Sequence, residues 1–309
     1  MPTAELYRRQ AALLVKAIPL VATETCFALK GGTAINLFVR DMPRISVDID
    51  LAYLPITDRL ASLKDIDAAM RRIASRISRG IPDARVNPSV LRGENFVAKL
   101  IVQADGVQIK VEVTPVLRGC VYAPSRRSVS ARTEDRFGFA EIQVVSFPDL
   151  YAGKIVAALD RQHPRDLFDV RDLLANEGIN DDLRKAFIVY LLSHNRPMAE
   201  VLAPIRLDIS AEFARGFDGM TETPVTLDEL LQAREDVITG IVGNMPAEHR
   251  RFLISIKRGE PDWALLNLPG AEALPAVRWR LKNLARLNAT KRADLLARLG
   301  EVVGIPDTA

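Results

Sequence analysis

Two short stretches decide the fold of this 309-residue chain: KGGTA at residues 30–34 and SVDIDL at residues 46–51. In the second stretch, three apolar residues alternate with Ser46, Asp48 and Asp50, which is the two-residue period of a half-buried strand. Asp48 and Asp50 therefore point to the same face, roughly 6.5 to 7 Å apart along the strand. Because like charges this close repel each other, the pair predicts a site for Mg²⁺ or Mn²⁺.

The first stretch joins an apolar run at residues 26–29, predicted to be a buried strand, to a predicted helix at residues 33–39. Gly31 and Gly32 permit positive φ and close approach of a phosphate, the helix N-terminus offers free N–H groups, and Thr33 adds a hydroxyl. Taken alone, this sequence fits an ordinary strand-to-helix turn better. Followed after one short helix by paired aspartates, it predicts a cradle for the phosphates of a nucleoside triphosphate (NTP).

A β-hairpin is predicted from residues 95–102 and 107–113, which an Asp-Gly turn connects. In its second strand, Glu112 lies on the polar face, between the apolar Val111 and Val113. Taken alone, Glu112 is best explained as a solvent-facing side chain. The upstream motifs favour the other interpretation, in which Glu112 is a third carboxylate beside the aspartate pair.

The order of a Gly-Gly turn, an Asp-x-Asp strand and a later acidic residue resembles the nucleotidyltransferase superfamily of the DNA polymerase β type. The pairing of KGGTA with SVDIDL is more similar still to the AbiEii/AbiGii toxin family, which includes the MenT-type toxins of bacterial toxin–antitoxin and phage-defence (abortive infection) systems. The motifs cover residues 27–174. Two departures occur: Gly-Gly-Thr replaces Gly-Ser, and Glu112 stands where the family pattern has Asp.

The resemblance implies a role for each motif residue. The implied catalytic residues are Asp48, Asp50, Glu112, Lys154 and Asp169, and the implied metal ligands are Asp48, Asp50 and Glu112. The implied NTP contacts are Gly31, Gly32, Thr33, Ser46, Lys154 and Asp166. Asp166 and Asp169 are three apart and share a helical face. The alternative for this helix is an i,i+4 salt bridge between Arg165 and Asp169 on a solvated surface.

Strand and helix signals alternate up to about residue 145, and helical patterns follow. The chain is therefore predicted to be α+β, with a polymerase β-like nucleotidyltransferase domain at residues 1–145 and a helical domain at residues 146–309. The first domain is expected to hold a mixed sheet with flanking helices. Residues 125–128 are predicted to form a loop, and Arg71, Arg72 and Arg76 are predicted to lie on a solvated helix face.

The cysteines and the N-terminal apolar run bear on the cellular compartment of the protein. The two cysteines, Cys26 and Cys120, lack metal-ligand spacing, which favours a reducing compartment without disulfides. The apolar run near the N-terminus is interrupted by Lys16 and Pro19, so it predicts an amphipathic helix instead of a signal or membrane segment. We therefore expect a cytoplasmic protein with no membrane partner.

A basic stripe lies near the end of the chain. Residues 274–292 contain no acidic residue, and their basic residues are Arg278, Arg280, Lys282, Arg286, Lys291 and Arg292. The stripe could hold RNA phosphates while Trp279 stacks on a base. The alternative, which the sequence favours slightly, is an amphipathic helix whose charges are simply solvated.

The function predicted from these features is that of a toxin which transfers a nucleotide from an NTP to RNA by a Mg²⁺-dependent mechanism. The resemblance implies a tRNA 3′ end as the acceptor and a cognate antitoxin encoded nearby. Two alternatives stay open at this point: nucleotidyl transfer to a protein or small-molecule hydroxyl, and regulation by NTP binding without catalysis.

Overall fold

A computed structural model describes residues 2–91 and 93–305 of the chain, with side chains from residue 5 onward. The chain divides into two compact units. The first unit contains residues 1–146 together with the segment Asp218–Pro224, and the second contains the segments Phe147–Phe217 and Val225–Ala309. The first unit is therefore discontinuous in sequence.

The first unit combines four helices with seven strands. Its elements in chain order are α1 (Pro2–Val21), β1 (Phe27–Lys30), α2 (Gly31–Ala34), β2 (Asp48–Tyr53), α3 (Arg59–Gly80), β3 (Arg85–Val90), β4 (Val97–Ala104), β5 (Val107–Arg118), β6 (Ser125–Ser128), α4 (Ala131–Phe137) and β7 (Glu141–Val144). A π-helical turn over Ile35–Val39 extends α2. The predicted strand-to-helix connection at the glycines is confirmed, and the helix begins at Gly31 itself.

One mixed sheet organises this unit, in the strand order β3-β4-β5-β2-β1-β7-β6. The pairs β2–β5 and β1–β7 are parallel, and the other neighbouring pairs are antiparallel. The central strands β2 and β5 bury alternate residues, among them Ile49, Leu51 and Val111, which exclude water from one face. The predicted α+β class and mixed sheet are thus confirmed.

The predicted β-hairpin is present as β4 and β5, joined at Asp105 and Gly106. Both turn residues have positive φ, 50° and 70°, which is the backbone that an Asp-Gly hairpin turn requires. The predicted loop at residues 125–128 is wrong, because this segment is the edge strand β6, paired antiparallel with β7. All four of its residues are exposed, so no apolar alternation marks it in the sequence.

Glu24 joins the segment after α1 to helix α3. Its buried carboxylate accepts hydrogen bonds from Arg72 at 2.9 and 2.7 Å, and it also pairs with Arg76. Arg71 and Arg72 are exposed, as predicted, but the ion pairs of Arg72 and Arg76 with Glu24 were not predicted. The hydrogen bonds from Arg72 lower the pKa of Glu24 and, with Arg76, outweigh the opposing effect of burial.

The segment Asp218–Pro224 completes the first unit from a distance along the chain. Thr221 forms an antiparallel bridge with Arg44, and the Glu222 backbone N–H donates to the Pro43 carbonyl at 3.1 Å. The Glu222 carboxylate also pairs with Arg132 of α4. This segment consequently braces the loop that precedes β2.

The second unit is helical. Its helices are α5 (Phe147–Arg161), α6 (Pro164–Asn176), α7 (Asp181–Ser193), α8 (Met198–Leu202), α9 (Ser210–Gly216), α10 (Leu227–Ile238), α11 (Ala247–Arg258), α12 (Pro275–Ala285) and α13 (Ala289–Val303). A π-helical turn over Thr239–Gly243 extends α10, and short 3₁₀ turns occupy Trp263–Leu265 and Ala271–Ala273. In the described part of the chain, no helix has both the length and the apolar composition needed to cross a membrane.

We expect the substitution Glu24→Gln to lower the free energy of unfolding by about 1–3 kcal/mol near neutral pH, because the charge-assisted hydrogen bonds from Arg72 and Arg76 are weakened. The folded-state pKa of Glu24 is depressed below its usual value of 4.5. The stabilisation is therefore complete above that value and is lost as the pH falls through the lower folded-state pKa. Urea unfolding of both proteins across this acid range measures the difference.

Glu5→Gln is the matched control for this measurement, since Glu5 is exposed and lies 3.9 Å from its partner Arg8. Its substitution should leave the free energy of unfolding nearly unchanged. Equal effects of Glu5→Gln and Glu24→Gln would contradict a structural role for the buried carboxylate.

Candidate active site

The register between β2 and β5 brings three carboxylates to one face of the sheet. Asp50 and Glu112 are directly paired across the parallel ladder, and Asp48 lies two residues before Asp50 on β2. The neighbouring Ile49 and Val111 are fully buried on the opposite face. The two-residue period therefore keeps all three acids together on the face that the apolar residues do not occupy.

Two lysines face these carboxylates. Lys110 Nζ lies 3.3 Å from Asp48 Oδ2, and Lys99 Nζ lies 3.7 Å from Glu112 Oε2. All four side chains are one-third to one-half exposed, so water screens the pairs and each contributes little to stability. The lysines nevertheless bring positive charge next to Asp48 and Glu112.

The donor chemistry of Asp48 and Asp50 suits a hard divalent cation, since both offer carboxylate oxygens from one side of a rigid strand. Within residues 2–91 and 93–305, no three His, Cys, Asp or Glu side chains are gathered closely enough to form a metal cluster. By donor chemistry alone the aspartate pair fits a metal, and Glu112 is its neighbour across the ladder. The ligand set of all three remains a prediction.

The glycine turn lies against the second aspartate. Strand β1 pairs antiparallel with β2, which sets Lys30 opposite Asp50, and Gly31 follows with φ +74°. A Cβ atom on Gly31 would lie only 2.5 Å from Asp50 Oδ2. The absence of a side chain at Gly31 therefore gives the Asp50 carboxylate its place beside the backbone of the turn.

Thr33 fastens the turn to the start of β2. Its Oγ1 lies 2.5 Å from the Asp48 carbonyl oxygen and 3.0 Å from Ser46 Oγ. The Thr33 hydroxyl is the donor in both contacts, so its one proton is shared between the Asp48 carbonyl and Ser46 Oγ. Thr33 is completely buried, so its hydroxyl positions the strand, and its phosphate contact stays a prediction.

Arg44 is a site residue that the sequence reasoning missed. It is buried, its Nη1 donates to the Ile45 carbonyl at 3.1 Å, and a Cβ on Gly32 would lie 2.8 Å from its Nη2. The same Cβ would lie 3.0 Å from Ser46 Oγ. The Arg44 guanidinium consequently lies against Gly32. The only sequence signal is an isolated arginine two residues before Ser46, which has no periodicity to mark it.

The remaining predicted site residues meet inside the second unit. Lys154 Nζ lies 2.8 Å from Asp166 Oδ1 and 3.0 Å from Asp169 Oδ2. Arg161 contributes Nε at 2.5 Å from Asp166 Oδ2. Lys154 is 7% exposed, whereas both aspartates are 1% exposed. Lys154 and the two aspartates thus form a buried cluster, which the largely exposed Arg161 covers from the solvent side.

Neighbouring positive charges determine the pKa of Asp166 in this cluster. Burial alone would raise the pKa of Asp166, but attraction to Lys154 and hydrogen bonding from Arg161 outweigh burial and hold that pKa well below its usual range. Asp166 is therefore ionised at neutral pH and binds both cations. The alternative based on Arg165 and Asp169 is replaced by Lys154 as the partner of Asp169.

The structure therefore gathers the predicted residues into two sets. The first unit holds the set Gly31, Gly32, Thr33, Ser46, Asp48, Asp50 and Glu112, and the second unit holds the set Lys154, Asp166 and Asp169. Members of each set lie together, and the expectation that both sets serve a single site stays a prediction. Their individual roles in metal binding, NTP binding and catalysis stay predictions.

Similarity to known proteins adds to this geometry. The solved structure of MenT4, a nucleotidyltransferase toxin from Mycobacterium tuberculosis H37Rv, superposes with a TM-score of 0.57 and 17% sequence identity, covering 91% of this chain and 92% of that one. At this identity the likeness shows a shared fold. Among curated proteins, none matches the sequence significantly.

The family model described as the nucleotidyl transferase AbiEii toxin of type IV toxin–antitoxin systems matches residues 12–283. The match includes the glycine turn, all three carboxylates and the buried cluster around Lys154. It extends over most of the chain and agrees with the MenT4-like fold. The chain therefore belongs to the AbiEii family of NTP-dependent nucleotidyltransferase toxins of type IV toxin–antitoxin systems.

Proposed function

We propose that this toxin transfers a nucleotide from an NTP to the 3′ end of a tRNA, by a Mg²⁺-dependent mechanism that uses the carboxylates of β2 and β5. The observation that carries the proposal is the placement of Asp48, Asp50 and Glu112 on one sheet face, with the Gly31 backbone against Asp50. A binding module would need a phosphate cradle, but it would have no need of a third carboxylate. The presence of the third carboxylate therefore favours catalysis over regulation by NTP binding.

In the proposed reaction, the RNA 3′-hydroxyl oxygen attacks the α-phosphorus of the NTP. A new phosphodiester bond forms, the bond from the α-phosphorus to the bridging oxygen of the β-phosphate breaks, and pyrophosphate leaves. The hydroxyl proton passes to the Glu112 carboxylate, which is half-exposed and so within reach of a bound acceptor. Most of the rate enhancement comes from positioning and charge stabilisation.

Asp48 and Asp50 would hold the divalent cation, which neutralises charge on the triphosphate and leaving group when bound. In the absence of that cation, Lys110 and Lys99 balance the acids. The exposed lysine side chains are free to move aside, since screened surface pairs are weak. The backbone N–H groups of Gly31 and Gly32 would donate hydrogen bonds to phosphate oxygens, with Ser46 nearby, and the buried Thr33 would support the turn.

Membership of a type IV system implies an antitoxin partner and an NTP substrate. We infer that the antitoxin is encoded beside the toxin and that both act in the cytoplasm. Growth arrest would follow because a tRNA extended at its 3′ end cannot be aminoacylated.

We expect the purified protein to label tRNA when supplied with Mg²⁺ and an NTP radiolabelled at the α-phosphate, tested with each of the four bases. Asp48→Ala and Asp50→Ala should reduce labelling by about 10³-fold, because several kcal/mol of charge stabilisation are lost. Glu112→Gln should reduce it by about 10²-fold or more through loss of the proton acceptor. Denaturing gels measure the rates.

Asp135→Ala, at an exposed position of α4, is the matched control and should label tRNA at the wild-type rate. If label appeared on a protein or a small molecule and none appeared on RNA, the acceptor would be that molecule and not tRNA. Toxicity that survives Asp48→Ala and Asp50→Ala would instead support regulation without catalysis.

We expect Gly31→Ala to abolish labelling, because its Cβ would displace the Asp50 carboxylate as well as strain the backbone. Gly178→Ala separates the two effects, since Gly178 has φ +67° and no atom within 4 Å of its added Cβ. Both variants should lose roughly 1–2 kcal/mol of stability from the left-handed backbone. Only Gly31→Ala should lose activity, and retained activity in that variant would contradict the assigned position of Asp50.

We expect Lys154→Met to lower the free energy of unfolding by about 3–5 kcal/mol, since Asp166 and Asp169 would be left buried without their shared cation. The triple variant Lys154→Met/Asp166→Asn/Asp169→Asn removes those charges and should recover stability. If Lys154 contacts the triphosphate, tRNA labelling stays lost in both variants. Labelling by a stable triple variant would show that Lys154 is structural alone.

A further inference from the structure

Helix α12 is fixed to the second unit along one side. Val277 and Leu284 are buried, as the amphipathic interpretation predicts. Arg280 anchors the same helix by donating from Nε to the Leu192 carbonyl at 2.9 Å and from Nη2 to the Arg196 carbonyl at 3.0 Å. Arg280 is therefore a structural member of the basic stripe and is not available to a ligand.

The opposite side of α12 presents three cations and a tryptophan. At about 100° per residue, Arg278, Lys282, Arg286 and Trp279 fall within an arc of roughly 100°. All four are exposed, and Trp279 is 56% exposed. We call these four residues the α12 basic face.

The positive charge of the α12 basic face is uncompensated within the unit. No carboxylate in the described ranges forms an ion pair with Arg278, Lys282 or Arg286. Arg292, another member of the predicted stripe, instead donates to the carbonyls of Arg258 and Leu284. The structure thus divides the stripe into anchoring residues and a set that remains open to solvent.

The composition of this face selects the kind of partner. Three cations along roughly two turns of helix match successive phosphates of a nucleic acid backbone, to which they contribute salt-sensitive binding. An exposed indole ring between them offers a surface on which an unpaired base can stack. Large aromatic side chains are usually buried, so the exposure of Trp279 among cations is itself informative.

We propose that the α12 basic face binds the RNA acceptor, with Arg278, Lys282 and Arg286 on backbone phosphates and Trp279 stacked on an unpaired base. The choice of RNA as the partner rests on the proposed function. The assignment of the four binding residues does not rest on the proposed function, because it follows from the charge and exposure of the α12 basic face. RNA binding by this face requires neither NTP nor a divalent cation.

The test measures equilibrium binding of full-length protein to unfractionated tRNA, in EDTA and without NTP, across a range of salt concentrations. The variant Arg278→Gln/Lys282→Gln/Arg286→Gln should bind at least about 10-fold more weakly at low salt. Its slope of log affinity against log salt should be shallower by roughly 2, since each phosphate contact in a single strand contributes about 0.7.

Lys64→Gln/Arg85→Gln/Arg127→Gln is the matched control, because it removes three exposed cations of the first unit and the same net charge. It should keep the wild-type slope. Equal losses in both triple variants would mean that net charge alone attracts RNA, and this would overturn the proposal.

Stacking is tested separately in a Trp263→Phe background, where Trp279 is the only tryptophan. Adding tRNA should quench its emission. Trp279→Ala should weaken binding on the order of 10- to 100-fold, whereas Trp279→Phe should restore most of it. Unchanged emission together with unchanged affinity of Trp279→Ala would overturn the stacking contact.

Two further outcomes separate this inference from the proposed function. If the wild-type protein labels tRNA while the α12 variants bind it normally, this inference fails and the function stands. If tRNA binding depends on the α12 basic face but no label is transferred, the function fails and the inference stands. If the triple variant of the α12 basic face lost binding to anionic phospholipid vesicles but kept its binding to tRNA, the face would be assigned to a membrane surface and the proposal overturned.

Discussion

The parallel register between β2 and β5, which places Asp48, Asp50 and Glu112 on one sheet face, is the constraint on which the candidate site depends. The two-residue strand period and the register between β2 and β5 force these acids onto one face, where they are costly unless positive charge is near. Lys99 and Lys110 supply that charge from neighbouring positions of the sheet. The glycine at position 31 leaves room for the Asp50 carboxylate. The buried hydroxyl of Thr33 fixes the start of β2 beneath them.

Features set by local periodicity could be predicted from the sequence. The alternation in β2 and β5 and the turn between β4 and β5 each result from a few adjacent residues, so a short window contains the necessary information. Strand β6 could not be predicted this way, because its exposed Ser-Arg-Arg-Ser sequence becomes a strand only by pairing with β7. The pairing of Glu24 with Arg72 and the position of Arg44 over Gly32 also depend on contacts distant in sequence.

The lysines of the two units differ in a way that bears on function. Lys99 and Lys110 are exposed and loosely paired, so an incoming cation can replace them at small cost. Lys154 is held by two buried aspartates, and moving it would leave uncompensated charge in an apolar interior. Exposure therefore separates weakly held positive charge from positive charge that is fixed in place. The sequence motifs predict a role for Lys154 and mark neither Lys99 nor Lys110.

The return of Asp218–Pro224 to the first unit has a consequence for the order in which the protein is made. The residues of the glycine turn and the carboxylates emerge from the ribosome before position 147, yet the loop ahead of β2 is braced by Thr221 and Glu222. At about 5–20 residues per second, that brace arrives several seconds later. A nascent toxin therefore acquires its fully supported nucleotidyltransferase unit only when most of the chain has been translated, and an early-terminated product lacks the brace.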